Sequence, residues 1–117
     1  MASTFFASPY NEAAILTIDG SGDFTTSMIG IGHDKKIKIF GSVNYPVSLG
    51  TFYTAFTQYL GFPFYGDEYK VMGLSSYGNP KYVQEISNII WTNSIGLFDW
   101  DKSYFRTDRN NVALSYD

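Results

Sequence analysis

Cysteine is absent from the 117 residues, and histidine occurs once, as His33. Without thiols the chain forms no disulfide, no thiolate metal site and no cysteine nucleophile. A single histidine rules out a multi-histidine metal site within the chain, and any catalytic triad would need His33. The lack of thiols fits a reducing compartment, so the expected location is cytoplasmic. Charged residues are also few, at 16%, with a net charge of −3 and an isoelectric point near 4.9. That balance disfavours binding to nucleic-acid phosphates. No apolar run approaches the roughly 20 residues of a membrane span. No basic residue precedes an apolar block near Met1, so neither a membrane partner nor a signal peptide is expected.

Aromatic residues are abundant: ten Phe, ten Tyr and two Trp, 19% of the chain. A buried ring removes roughly 150–250 Å² from water. A domain of this length cannot enclose them all, so some rings are expected at the surface or against a partner. The 44% apolar content otherwise reads as one globular unit.

Met1 to Glu12 is small, aromatic and turn-prone, and Pro9 discourages helix at Ser8. Ala13 to Ile18 is a short apolar run that suits a buried strand. It ends at Asp19-Gly20-Ser21-Gly22-Asp23, a tight turn by its glycines and acids. Thr25 to Gly32 and Lys36 to Asn44 follow as strands, the second alternating lysine with isoleucine. Three strands on short turns predict an antiparallel meander. After Pro46 the period changes. Leu49, Phe52, Tyr53, Phe56, Tyr59 and Leu60 fall three and four apart and predict a core-facing helix, capped by Ser48 and closed at Gly61. Tyr69 to Leu74 suits either a strand or a helical turn. Asn79-Pro80 predicts the start of a helix to about Asn93, with Val83, Ile86, Ile89 and Ile90 on its apolar face. Beyond Gly96, a hairpin of Leu97–Asp99 with Tyr104–Thr107 is expected. Val112 to Asp117 shows no stop signal.

Few residues suggest chemistry. Asp19 at a strand end beside Gly20, Ser21 and Gly22 offers a carboxylate to a metal or metal–phosphate complex, and small residues let backbone N–H groups approach phosphate oxygens. The same residues suit a solvated hairpin turn. Asp67-Glu68-Tyr69-Lys70 could hold a ribose hydroxyl and a phosphate, or could be a surface loop with an ion pair. His33, beside Asp34 and two lysines, reads as a solvated turn residue. There is no P-loop lysine motif, no GxSxG and no HExxH.

Three ordered blocks resemble one family. SPYNEAAILTIDGSGDFTTSMIGIG, YPVSLGTFYTAFTQYLGF and DEYKVMGLSSYGNP are similar to blocks of the nodulation-protein and antibiotic O-carbamoyltransferases, over about residues 3–90. The resemblance implies an α/β fold, the start of a half of an actin-like ATPase (ribonuclease H-like) domain close to the threonylcarbamoyl-transfer proteins. It implies formation of carbamoyl-adenylate from carbamoyl phosphate and ATP, then transfer of the carbamoyl group to a hydroxyl of a sugar or antibiotic. The implied divalent metal, iron-type or magnesium, is bound by an HxxxH pair before the first block, by the aspartate that matches Asp19, and by a later aspartate. The phosphate-facing turn carries over to Gly20, Ser21 and Gly22, and nucleotide contacts to Glu68 and Lys70.

The chain departs from that family at several places. Met1-Ala2-Ser3-Thr4 stands just after the position of the HxxxH pair. Asp23 stands where glutamate is usual, and Ser75 where alanine is common. The later aspartate and the C-terminal domain have no counterpart. Residues 1–117 therefore read as a fragment of the N-terminal domain, inactive alone and expected to form a homo-oligomer through apolar surface that the full domain covers. Two other readings stay open: an aromatic-rich module that binds sugars or proteins without catalysis, and another kinase of the actin-like fold.

Overall fold

The computed structural model describes residues 1–105. A short helix α1 (Ala2–Phe6) precedes three strands, β1 (Glu12–Ile18), β2 (Thr25–His33) and β3 (Lys36–Asn44). Helices α2 (Leu49–Tyr59), α3 (Glu68–Ser75) and α4 (Val83–Ser87) follow, then β4 (Ile90–Thr92), β5 (Phe98–Trp100) and a 3₁₀ turn at Lys102–Tyr104. The architecture is α/β, with a three-stranded antiparallel sheet followed by helices.

The expected meander is present, in the order β1-β2-β3. Glu12 pairs with His33 and Ile18 with Ser27 across the first ladder. The second ladder runs from Thr25–Asn44 to His33–Lys36, with irregularities at Thr25/Ser27 and Ile29/Gly30. Asp34 takes the positive φ (51°) that turns β2 into β3, a conformation aspartate tolerates better than most residues. His33 lies 3.1 Å from its carboxylate, and both side chains are largely in solvent.

Register assigns each row of the sheet to a face. One face carries Ile15 and the glycines opposite and beside it, Gly30 and Gly32. The ring of Phe5 lies directly on Gly32 and is 3% exposed. That contact accounts for α1, where the sequence suggests only turns: a helix of one turn fits before Pro9 because Phe5 has a place to go. The opposite face carries Leu16, Ile18, Ile29 and Val43. Against it sits the main core, Val43, Val47, Leu97, Phe98 and Trp100, with Phe52 and Phe105 at its margin.

α2 begins and ends as expected. Ser48 Oγ accepts from Thr51 N (3.1 Å). At the other end Gly61 N donates to Gln58 O and Phe62 N to Thr57 O, with φ 92° at Gly61, the paired bonds of a Schellman closure. Its inner face differs from the expected stripe. Thr51, Ala55 and Thr57 are the buried residues, while Tyr59 and Leu60 are 71% and 56% exposed. The first turn of the helix comes close to Gly20, just beyond β1, and there Gly50 and Thr51 fill the contact. Phe52 keeps a core role, 5.8 Å from Trp100 and 5.7 Å from Phe105.

Residues 69–74, ambiguous in sequence, belong to helix α3. The long helix expected from Pro80 to Asn93 is replaced by the five residues of α4 and by β4. Ile90 and Thr92 pair with Trp100 and Phe98, and burying that hairpin outweighs the helical periodicity of four apolar residues. The turn is held by Asn93 Oδ1, which accepts from Ile95 N (3.2 Å) and Leu97 N (3.0 Å). The strand Phe98–Trp100 therefore pairs with β4. Tyr104 falls in the 3₁₀ turn instead of a strand, because Asp101 caps it through Ser103 N (2.9 Å). Thr107 and the tail lie outside the described residues.

The core assignment predicts that Leu97→Ala lowers unfolding stability by about 2–5 kcal/mol in urea titrations. Tyr65→Ala, at a fully exposed position, should change it by less than about 0.5 kcal/mol.

Candidate functional site

β1 delivers Asp19 to the lip of the sheet. Asp19 N donates to Thr26 O (2.8 Å), the last rung of the ladder. The chain then leaves the sheet, and Asp19 Oδ1 accepts from Gly20 N (2.7 Å). Asp19, Ser21 and Gly22 are exposed. Among the described residues no partner accepts from the backbone N–H groups of Ser21 and Gly22, and none occupies Asp19 Oδ2.

This turn is fixed from behind by α2. Ser48 is fully buried, and its Oγ donates to Asp19 O (3.0 Å) and Gly20 O (2.6 Å). Thr51 Oγ1 adds a bond to Gly20 O (3.2 Å). A Cβ on Gly50 would stand 2.5 Å from Gly20 Cα and 2.8 Å from Gly20 N, so only glycine admits this approach. One layer deeper, Thr26 Oγ1 donates to Val43 O (3.1 Å) and Val47 O (2.5 Å). Tyr45 N donates to Phe24 O (2.8 Å). The segment containing the cis Tyr45–Pro46 bond is thereby laid along the 19–24 loop.

The second sequence candidate lies further along α2. Glu68 Oε1 accepts from Thr54 Oγ1 (2.6 Å). Six residues separate Thr54 from Ser48, about 9 Å of helical rise. Lys70 Nζ pairs with Asp67 Oδ1 (2.7 Å), and Asp67 Oδ2 accepts from Phe64 N (3.3 Å). The hydrogen bond to Asp67 holds the Lys70 ammonium above its ordinary pKa of 10.5. Glu68 and Lys70 thus fasten the 62–70 loop to itself and to α2. Among the described residues, no hydrogen bond or ion pair joins them to Asp19–Gly22.

An open apolar groove of about 570 Å³ runs beside the Asp19 turn, between Leu16 and Ile18 of β1 and Leu49, Trp91 and Phe98. Among the described residues no three His, Asp or Glu side chains converge as a metal-binding group. Among the described residues, therefore, no complete metal site forms around Asp19. Among the same residues no helix is long and apolar enough to cross a membrane.

A family model described as the carbamoyltransferase N-terminus matches residues 1–116. The chain belongs to the carbamoyltransferase family. It is 42% identical over 105 residues to the uncharacterized protein sll1178 of Synechocystis, covering 89% of this chain and 17% of that one. It is 41% identical over 78 residues to nodulation protein NolNO of Sinorhizobium fredii, covering 67% of this chain and 11% of that protein. Nodulation protein NolO of Bradyrhizobium diazoefficiens is 38% identical over 84 residues, 72% of this chain and 15% of its own length. The chain therefore spans less than a fifth of the length of these relatives.

Sequence reading singled out the Asp19–Gly22 turn but took Ser48 only as a helix cap, and passed over Gly50, Thr51 and Thr26. Gly50 carried a usable signal. Glycine in a first helical turn costs roughly 0.5–1 kcal/mol relative to alanine, which points to a close backbone approach.

Gly50→Ala is predicted to displace Gly20 and cost about 1–3 kcal/mol, with the Gly20 and Ser21 amide resonances shifting in a ¹H–¹⁵N spectrum. Because the folded-state pKa of Lys70 is raised, the stability from its pair is complete below pH 10.5 and is lost as pH rises through the raised value. Asp67→Asn should therefore flatten the alkaline limb of a stability–pH curve.

Proposed function

We propose that this chain is the start of an actin-like ATPase half-domain in an ATP-dependent O-carbamoyltransferase, with the Asp19–Gly22 turn facing the phosphates. One observation carries the reading: a turn locked from behind by Ser48, Gly50 and Thr51 that leaves the Ser21 and Gly22 N–H groups and one Asp19 oxygen without partners. Donors held in place before substrate arrives stabilise charge on a phosphoryl group without reorganisation cost at the moment of reaction. Family membership supplies the reaction class, and the acceptor in this reading is a hydroxyl of a sugar or antibiotic.

In this reading carbamoyl phosphate, ATP and one water give carbamoyl-adenylate, phosphate and pyrophosphate. The acceptor hydroxyl then takes the carbamoyl group as AMP leaves. A divalent metal, iron-type or magnesium, would supply Lewis-acid charge beside the phosphates. Asp19 would hold it with one carboxylate, and the other ligands would come from parts of the enzyme beyond the described residues. Gly20, Ser21 and Gly22 cradle phosphate oxygens. Lys70 has ammonium protons beyond the one given to Asp67, and with Glu68 it would meet the nucleotide from the second loop. The exposed rings Phe64, Tyr65 and Tyr77 favour a second reading, a surface that stacks on sugars or proteins without catalysis.

Magnesium–ATP titrated into the ¹⁵N-labelled chain should shift the Gly20, Ser21 and Gly22 amides, and Asp19→Asn should abolish the shift. Shifts confined to residues 62–82, or seen with a neutral sugar and not with ATP, would support the second reading. The chain alone, given ATP and carbamoyl phosphate, should release no pyrophosphate, because one carboxylate does not assemble the site.

A further inference from the structure

Asp67 is a buried carboxylate, 6% exposed, to which the proposed chemistry gives no part. Both its oxygens are engaged within one loop. Oδ2 accepts from Phe64 N (3.3 Å), and Oδ1 pairs with Lys70 Nζ (2.7 Å). The backbone repeats the tie, with Asp67 N donating to Phe64 O (3.1 Å) and Lys70 N to Asp67 O (2.9 Å). Gly66, at φ 87°, supplies the left-handed step that brings the loop round. The Lys70 ammonium also stands over two rings, 5.7 Å from the centre of Phe62 and 5.9 Å from that of Tyr69. Every one of these contacts is made within residues 62–70.

All of them favour the charged form of Lys70, the carboxylate through its hydrogen bond and charge and the rings through their negative faces. Glu68, the other carboxylate of this loop, is turned to Thr54 Oγ1 (2.6 Å) on α2. Partial burial works the other way and is outweighed, so the ammonium keeps its proton above the ordinary value of 10.5. Lys35, Lys36 and Lys81 are exposed and have no ion pair among the described residues. The difference matters beside a carbamoyl donor. Carbamoyl phosphate breaks down in water to phosphate and cyanate, and a neutral lysine amine adds to the carbon of cyanic acid. The Nζ–C bond forms, the amine proton passes to the cyanic acid nitrogen, and an uncharged urea replaces the cation. An ammonium has no lone pair with which to begin that step. Phosphates call for a cation, and lysine, unlike arginine, is a cation that can lose its proton and react.

We propose that Asp67 is a positioning residue that holds Lys70 as an ammonium, so that Lys70 can contact phosphate beside a carbamoyl donor without being carbamoylated itself. The proposal rests on the reading above in one respect, that carbamoyl phosphate or its adenylate comes to this loop. The pairing of Asp67 with Lys70, and the lower reactivity it confers, do not depend on that reading.

Potassium cyanate is the probe, with carbamoylation of each lysine in the folded chain followed by peptide mass mapping. Well below pH 10.5, Lys70 should react at least about threefold more slowly than Lys36. Asp67→Asn keeps the size of the side chain and an oxygen for Phe64 N but drops the charge, and it should bring the two rates together. In the unaltered chain the gap should also close as pH rises through the raised value of Lys70, since both amines are then neutral. Lys70 reacting as fast as Lys36 below pH 10.5 overturns the proposal. So does a lag that persists in folded Asp67→Asn, or at high pH in the unaltered chain, because either shows steric shielding instead of a held proton. If Asp67→Asn does not fold, the pH series decides alone. Cyanate acts without ATP, so failure of the enzymatic reading is told apart by the missing magnesium–ATP shifts at Gly20, Ser21 and Gly22.

Discussion

The hydroxyl of Ser48 ties the molecule together. Its proton is shared between the carbonyls of Asp19 and Gly20, and its oxygen accepts from Thr51 N. One fully buried atom thus joins the end of β1, the start of the Gly-rich turn and the first turn of α2. Removing it would take this partner from the Asp19 carbonyl and the Thr51 amide, while Gly20 O would keep its bond from Thr51 Oγ1; a buried group left unpaired costs about 1–3 kcal/mol. The Gly20–Gly50 approach makes the same junction a steric one. The turn has little freedom to move unless α2 moves with it.

That junction accounts for features that otherwise look unrelated. Gly50 and Thr51 stand in the first turn of α2 where it is drawn against Gly20, and the rings of Phe52 and Phe56 pack on one another and, through Phe52, toward Trp100. Thr26 is buried because the strand preceding α2 must be held against β2 for Ser48 to reach Asp19. The exposed turn with free N–H groups is the outer surface of a tightly satisfied interior. The proposed phosphate site would give such a turn a use, and the geometry explains why a short Ser-x-Gly-Thr segment more than twenty residues away in sequence belongs to it.

Much of this was legible in sequence where the signals are local. β1, β2 and β3 were marked by apolar runs between Gly- and Asp-rich turns, and β3 was bounded at Lys36 and Asn44 as found. The Ser48 cap and Gly61 closure of α2 were also readable, since each is a short-range hydrogen-bond pattern. What failed was non-local. Ile86, Ile89 and Ile90 have helical spacing, yet Ile90 goes into β4 because Trp100 is available to pair with it. The apolar stripe of α2 was right at Leu49, Phe52 and Phe56, which are half-buried, but Tyr53, Tyr59 and Leu60 are exposed and Thr51, Ala55 and Thr57 take the buried positions, since no periodicity reveals how near a neighbouring backbone will come. Glu68 and Lys70 stood out as an acid and a base near glycines; the ion pair of Lys70 with Asp67 is local and was readable, whereas Thr54, the partner of Glu68, emerges only when the loop folds back on α2.

The most direct test of the junction is ¹⁵N relaxation of the 19–24 backbone in the unaltered chain and in Ser48→Ala. The account predicts order parameters of about 0.85 in the first, as in rigid backbone, and below about 0.6 in the second, with β1 and β2 unchanged. A turn that is already mobile in the unaltered chain, or one that stays rigid without the Ser48 hydroxyl, would contradict it.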